Sequence, residues 1–166
     1  MESLQIEVTE DIIRIAIEKN IKHFIFISAG ARLGFSPNKT IFLAENTEYI
    51  PKKTNPYAYS KFAAEKMLEK YADKIKISVI YPSTVYGAGD LKCNSGTLIK
   101  LLEGGRFPFS FPGGTSYVEA RDLARAVSLV IFADNLESFN RFIVSSENIT
   151  YKDLFNRISS TIKNKK

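Results

Sequence analysis

The chain has one cysteine, one histidine and no tryptophan in 166 residues. A single thiol, Cys93, excludes an intrachain disulfide and fits a reducing, cytoplasmic compartment. With only His23 to join it and no clustered carboxylates, no protein-built metal site is expected. Cys93 stands beside Asn94 with no His nearby in sequence, and reads as a small loop residue rather than a reactive thiol. His23 reads as a strand-edge residue at the mouth of an apolar run. No apolar run approaches the roughly 20 residues of a membrane span, and residues 1–20 carry acidic side chains where a signal peptide carries an apolar core. Concentrated positive charge is also lacking. The net charge of +5 comes from scattered lysines, and the one dense cluster is Lys163-Asn164-Lys165-Lys166 at the C-terminus. The 12 Phe mostly fall in apolar runs instead of interleaving a basic stripe, so nucleic-acid binding is not expected.

What is present is an ordinary soluble composition, 45% hydrophobic and 25% charged, long enough for a single domain with a real core. Apolar and helical patterns alternate along it. Residues 9–20 form an amphipathic helix with Ile12, Ile13, Ala16 and Ile17 on one side. Phe24-Ile25-Phe26-Ile27 is a continuous apolar run, suited to a strand buried on both faces of a parallel sheet. Residues 29–55, with Gly34, Pro37 and Pro51, read as a long loop over a site. A helix over 56–72 and a strand over 75–81 follow, then a loop over 87–94, a helix over 95–102 and an irregular stretch to Gly114. A helix over 122–132, a strand at Phe142-Ile143-Val144 and a helix over 150–162, with Thr150 and Asp153 as a capping box, complete the pattern. Such alternation predicts an α/β fold with a doubly wound parallel sheet. No internal repeat or low-complexity linker interrupts it.

The most informative stretch is Asn55-Pro-Tyr-Ala-Tyr-Ser-Lys-Phe-Ala-Ala-Glu65. Asn55 suits an N-cap and Pro56 the first helical position. Tyr57 and Lys61 then lie four residues apart on one helix face. A cation about 4 Å from a phenolate, at an effective dielectric of about 20, stabilises it by about 4 kcal/mol, or about three pH units. That brings a phenol into the range where it exchanges protons near neutral pH. Spacing alone is weak, because Tyr49 and Lys53 repeat it. Pro51 lies between those two and argues against a helix there, so they are set aside.

The stretch resembles the active-site helix of the extended short-chain dehydrogenase/reductase superfamily, which includes NAD-dependent epimerases and dehydratases and dihydroflavonol-reductase-like enzymes. Residues 10–28 resemble its helix and strand leading to the catalytic serine. Tyr81-Pro82-Ser83-Thr84-Val85-Tyr86-Gly87 resembles its Pro-x-x-Val-Tyr-Gly loop, and Tyr117-Val118-Glu119-Ala120-Arg121-Asp122-Leu123-Ala124 its Val-x-Val-x-Asp-Leu/Val-Ala segment. Residues 141–154 resemble the late strand and following helix. The resemblance implies that Tyr57 exchanges a proton with a substrate oxygen while hydride passes to or from nicotinamide. It implies that Lys61 tunes the phenol and binds the nicotinamide ribose. Aligning Gly34 with the family's glycine places Ala29 on the usual catalytic serine with Ser28 beside it, so either Ser28 substitutes or the hydroxyl is missing. Pro82, Ser83 and Thr84 are implied at the nicotinamide carboxamide, with Tyr81 where the family usually has Asn or Arg. Asp122 reads as a helix-start charge.

The family opens with a strand, a Gly-rich turn and a helix that holds the cofactor pyrophosphate. These 166 residues contain no such segment. Gly87-Ala88-Gly89 is its nearest imitation, and Lys92 occupies the third glycine's place. The expectation is one truncated Rossmann-like domain over 1–166, with substrate-binding segments interleaved at about 87–120 and 145–166. NAD or NADP is the implied cofactor, bound weakly or not at all by the isolated chain, whose Phe24–Ser28 segment would be an edge strand with an apolar face uncovered. The implied partners are a small-molecule substrate, a sugar nucleotide or small carbonyl or alcohol, and a second copy in a homodimer. The alternatives are a catalytically silent interaction module and the C-terminal part of a split enzyme.

Overall fold

The computed structural model describes residues 2–34, 43–90, 95–104 and 112–163. In chain order the elements are α1 (Glu2–Glu18), β1 (His23–Ile27), a 3-10 turn (Gly30–Leu33), α2 (Pro56–Glu69), β2 (Lys76–Pro82), β3 (Thr84–Tyr86), α3 (Thr97–Glu103), β4 (Gly114–Glu119), α4 (Ala120–Ile131), β5 (Phe139–Val144), β6 (Glu147–Thr150) and α5 (Tyr151–Lys163). They divide into two compact units, Met1–Pro82 with Arg125–Val144, and Ser83–Ala124 with Ser145–Lys166.

The first unit carries a parallel sheet in the order β1-β2-β5. Phe24 pairs with Ile77 and Ile27 with Ile80 on one side of β2, while Ile77 pairs with Phe139 and Pro82 with Val144 on the other. As the middle strand, β2 is shielded on both faces. Ile77, Val79, Ile80 and Tyr81 are fully buried, which is why its apolar residues run on without alternation. Ile77, Val79 and Tyr81 join Ile13 of α1, Phe26 of β1 and Ala64, Met67 and Leu68 of α2 in one core, and Ile80 points to the opposite face.

Two sequence expectations are corrected here. Among the described strands β1 pairs with β2 alone, at the sheet edge expected for it, but its faces are not both covered. Ile27 is 40% exposed, and Phe24 and Ile25 are half-buried. In α1, Ile13 packs into the core while Ile12 is 51% exposed, because adjacent helical residues point about 100° apart. That helix starts at Glu2, seven residues before the sequence placed it. Pro37 and Cys93 lie outside the described residues.

His23 opens β1 with Nε2 2.9 Å from the hydroxyl of the fully buried Ser78. Burial first, then the nearby Lys76 ammonium, push the imidazole below its ordinary value. The folded chain therefore takes up this proton less readily than the unfolded chain. Stability from the neutral ring is complete above the ordinary value of about 6.5, and is lost as pH falls through the lower folded value. Urea midpoints measured between about pH 7 and pH 5 should fall on acidification, and His23→Gln should flatten that slope. An equally steep slope in the variant would contradict this.

The second unit holds a sheet that the sequence did not announce. β3 pairs parallel with β4 through Val85 and Val118, and β4 pairs antiparallel with β6 through Thr115 and Ile149. Gly114 is required by that close approach, since a Cβ there would lie 2.4 Å from the Ile149 carbonyl oxygen. Thr150 caps α5 by accepting from the Asp153 N–H at 3.1 Å. Its hydroxyl donates to the Asp153 carboxylate at 2.6 Å, so the pair meets through side chains rather than as a reciprocal capping box. Ile149, Leu154 and Phe155 form this unit's small core.

Candidate active site

α2 begins as its sequence requires. The Asn55 side chain accepts from the Ala58 N–H at 3.2 Å, and Pro56 occupies the first turn, where its missing donor costs nothing. Tyr57, Lys61, Glu65 and Glu69 then fall at four-residue spacing along the helix. The stripe descends from solvent into the core: Tyr57 is 57% exposed, Lys61 half-buried and Glu65 completely buried.

Lys61 reaches the carboxyl end of β1, where its Nζ donates to the Ile27 carbonyl at 3.1 Å and sits 5.1 Å over the Phe26 ring. Burial pushes the ammonium below its ordinary value. Ser28 follows directly. It is 3% exposed, its N–H donates to the Ile80 carbonyl at 2.8 Å, and its Oγ is buried without a hydrogen-bond partner among the described residues. A buried orphan hydroxyl is costly and calls for an explanation such as a missing ligand. Ala29, the other candidate for the serine position, is buried and begins the 3-10 turn.

The fold thus brings Lys61 and the Ile27–Ser28 strand end together. It does not join Tyr57 to either by a hydrogen bond among the described residues, and such contacts often tighten only in a ligand complex. Pro82 ends β2 in the first unit, at the carboxyl end of the sheet, where open α/β folds bind ligands. Ser83 and Thr84 belong to the second unit. The Ser83 Oγ is a second buried hydroxyl without a partner among the described residues, and Thr84 Oγ1 lies 3.2 Å from Thr115 Oγ1.

The sequence reading missed the charged cluster at Glu65. Its carboxylate accepts from Arg32 Nε at 3.0 Å, Arg141 Nε at 3.0 Å and the Tyr81 hydroxyl at 2.7 Å. Arg32 is itself buried, and its guanidinium lies 5.1 Å over the Phe62 ring. Burial, reinforced by the Glu65 carboxylate, raises the Tyr81 phenol far above its ordinary value, so it stays a donor. A signal was available: Glu65 interrupts an otherwise apolar helix face between Ala64 and Met67-Leu68.

The second unit carries an open depression of about 450 Å³ lined by Thr84, Tyr86, Thr97, Leu98, Thr115 and Tyr151 among others. Burial, then the neighbouring Tyr151, raise the Tyr86 phenol. Among the described residues no group of three His, Cys, Asp or Glu is placed to hold a metal ion, and no helix is long and apolar enough to cross a membrane.

Residues 3–144 match the model of the NAD dependent epimerase/dehydratase family. The chain belongs to that family. No curated protein matches it. Among solved structures it is similar to the UDP-N-acetylglucosamine 4-epimerase of Methanobrevibacter ruminantium M1, with TM-score 0.78 and 21% identity over 95% of this chain and 52% of that one. It is similar to the UDP-glucose 4-epimerase of Thermus thermophilus in complex with NAD, with TM-score 0.75 and 19% identity over 93% and 53% of the two chains. It is also similar to DesIV, a dTDP-glucose 4,6-dehydratase from Streptomyces venezuelae with NAD bound, with TM-score 0.79 and 16% identity over 98% and 51%. The fold is the Rossmann-like α/β fold of these epimerases and dehydratases, and the chain spans about half the length of each.

Proposed function

We propose that this chain supplies the proton-transfer and substrate-binding part of an NAD(P)-dependent oxidoreductase or epimerase. Its substrate would be a nucleotide sugar or a small carbonyl or alcohol. The observation that carries the reading is the buried, unpartnered Ser28 hydroxyl beside the half-buried Lys61 ammonium, at the carboxyl end of a parallel sheet. Both features fit the nicotinamide end of the cofactor. Lys61 would bind the ribose, Pro82, Ser83 and Thr84 would line the carboxamide, and NAD or NADP, when bound, would accept or return a hydride. Tyr57 would give or take the proton of the substrate oxygen, with Ser28 orienting that oxygen by a hydrogen bond. A cytoplasmic location accords with the single thiol.

A homodimer through α1 and α2 is part of this proposal. Val8, Ile12 and Ile15 on α1 are 46%, 51% and 54% exposed at helical spacing, an apolar stripe suited to a second copy. Light scattering at micromolar concentration should give the dimer mass, and a monomer would count against it.

The second reading is a catalytically silent interaction module. It draws on Tyr57, which is 57% exposed and is joined to neither Lys61 nor Ser28 by a hydrogen bond among the described residues. On either reading the isolated polypeptide should bind NAD or NADP weakly or not at all in a calorimetric titration. The readings separate when the chain, joined to or mixed with a Gly-rich cofactor-binding segment, is given both dinucleotides and a panel of UDP- and dTDP-sugars. Conversion of any of them supports the enzyme. Cofactor binding without conversion of any nucleotide sugar, carbonyl or alcohol favours the silent module.

A further inference from the structure

Two connections tie the β1 end to α2. One is the Lys61 contact with the Ile27 carbonyl. The other lies one helical turn further on, where Arg32 of the 3-10 turn grips Glu65 with Nε at 3.0 Å and Nη2 at 3.5 Å. Arg32 also donates from Nη1 to the Tyr49 carbonyl at 3.2 Å. Between the two connections in sequence stand only Ser28, Ala29, Gly30 and Ala31, so the segment bearing the orphan hydroxyl is pinned at both ends to one helix. Arg141 holds the same carboxylate from β5, where it fixes α2 to the sheet, and among the described residues it makes no hydrogen bond to that segment.

We infer that Arg32 is a positioning residue: by gripping the buried Glu65 carboxylate it clamps the turn after β1 onto α2, and so keeps the Lys61 ammonium on the Ile27 carbonyl beside Ser28. The inference rests on the proposed role of Lys61, but its geometry can be tested without turnover. Around Lys61 stand Tyr57 and Glu65 on its own helix and, from β1, the Phe26 ring and the Ile27 carbonyl. Removing either arginine strips compensation from Glu65, so a purely electrostatic effect on Lys61 would follow from both. A positioning effect follows from Arg32 alone.

The test uses the whole chain with its lysines methylated with 13C, the Lys61 signal assigned by its loss in Lys61→Arg. NMR titration reads that amine in wild type, Arg32→Met and Arg141→Met. In wild type it should titrate below the surface lysines. In Arg32→Met it should return toward them as the ammonium leaves the strand end, and in Arg141→Met it should stay near wild type. Arg32→Lys keeps the charge and loses the two-pronged grip. It should shift Lys61 the same way and speed amide exchange at Ser28 relative to residues 139–144, and it carries the test if Arg32→Met does not fold. A Lys61 titration unchanged in the Arg32 variants, or moved equally by Arg141→Met, overturns the inference. Loss of Lys61 positioning with unaltered turnover would instead refute the catalytic reading and leave the clamp standing.

Discussion

Replacing Tyr57 with Phe should lower turnover of the assembled enzyme by about a hundred- to ten-thousand-fold, the usual contribution of a positioned proton donor. The ring stays and only the hydroxyl leaves, so cofactor affinity should be nearly unchanged. Lys61→Ala should weaken both, because on the proposed reading the same ammonium serves the ribose and the phenol. It also removes the contact with the Ile27 carbonyl, which frees the strand end bearing Ser28. Steady-state kinetics with calorimetric cofactor affinity separate the two variants: a fall in kcat alone marks Tyr57, and a fall in kcat with a weaker Kd marks Lys61. Equal turnover in wild type and Tyr57→Phe would refute the proton-transfer role.

Glu65→Ala should cost about 3–5 kcal/mol of stability, the penalty for leaving buried charges without their counter-ion. The buried Arg32 loses the carboxylate that neutralises it and the buried Tyr81 hydroxyl loses its acceptor, while the partly exposed Arg141 keeps its pair with Glu69. Set against a typical net stability of about 5–15 kcal/mol, that loss reaches a large share of the whole. Glu65→Gln keeps the shape and an acceptor for Tyr81, and should cost less. By contrast, Glu10→Gln removes an exposed pair with Arg14 and should move the urea midpoint little. A Glu65→Ala midpoint close to wild type would mean that water reaches the cluster.

The parts of the fold that sequence made legible are those with a strong local signal. Asn55 and Pro56 mark the start of α2 because capping is decided by a few adjacent residues. The apolar run of β2 and the helical periods of α1 and α5 survive because one face of each is buried over several turns or residues. Where burial depends on distant neighbours, local pattern gave less. β1 has the composition of a strand covered on both faces, and the exposure of Ile27 is set by what packs over it rather than by its own residues. The sheet of β3, β4 and β6 uses short segments rich in Thr, Ser and Gly, whose strand character comes from pairing rather than propensity. In the site, Tyr57, Lys61 and Ser28 could be named from spacing and resemblance. Arg32, Tyr81 and Arg141 lie 33, 16 and 76 residues from Glu65, and only the folded chain brings them together.

The central claim is that the face of α2 bearing Tyr57 and Lys61 meets the nicotinamide end of a cofactor at the Ser28 strand end. It is tested most directly by a crystal structure of the protein with its cofactor-binding segment, NAD or NADP and a bound substrate or product. The account predicts Lys61 Nζ within hydrogen-bond distance of the nicotinamide ribose, the Tyr57 hydroxyl turned toward the substrate oxygen, and a partner for Ser28 Oγ. A nicotinamide ring bound elsewhere, with Tyr57 facing solvent and Ser28 Oγ still alone, would contradict it.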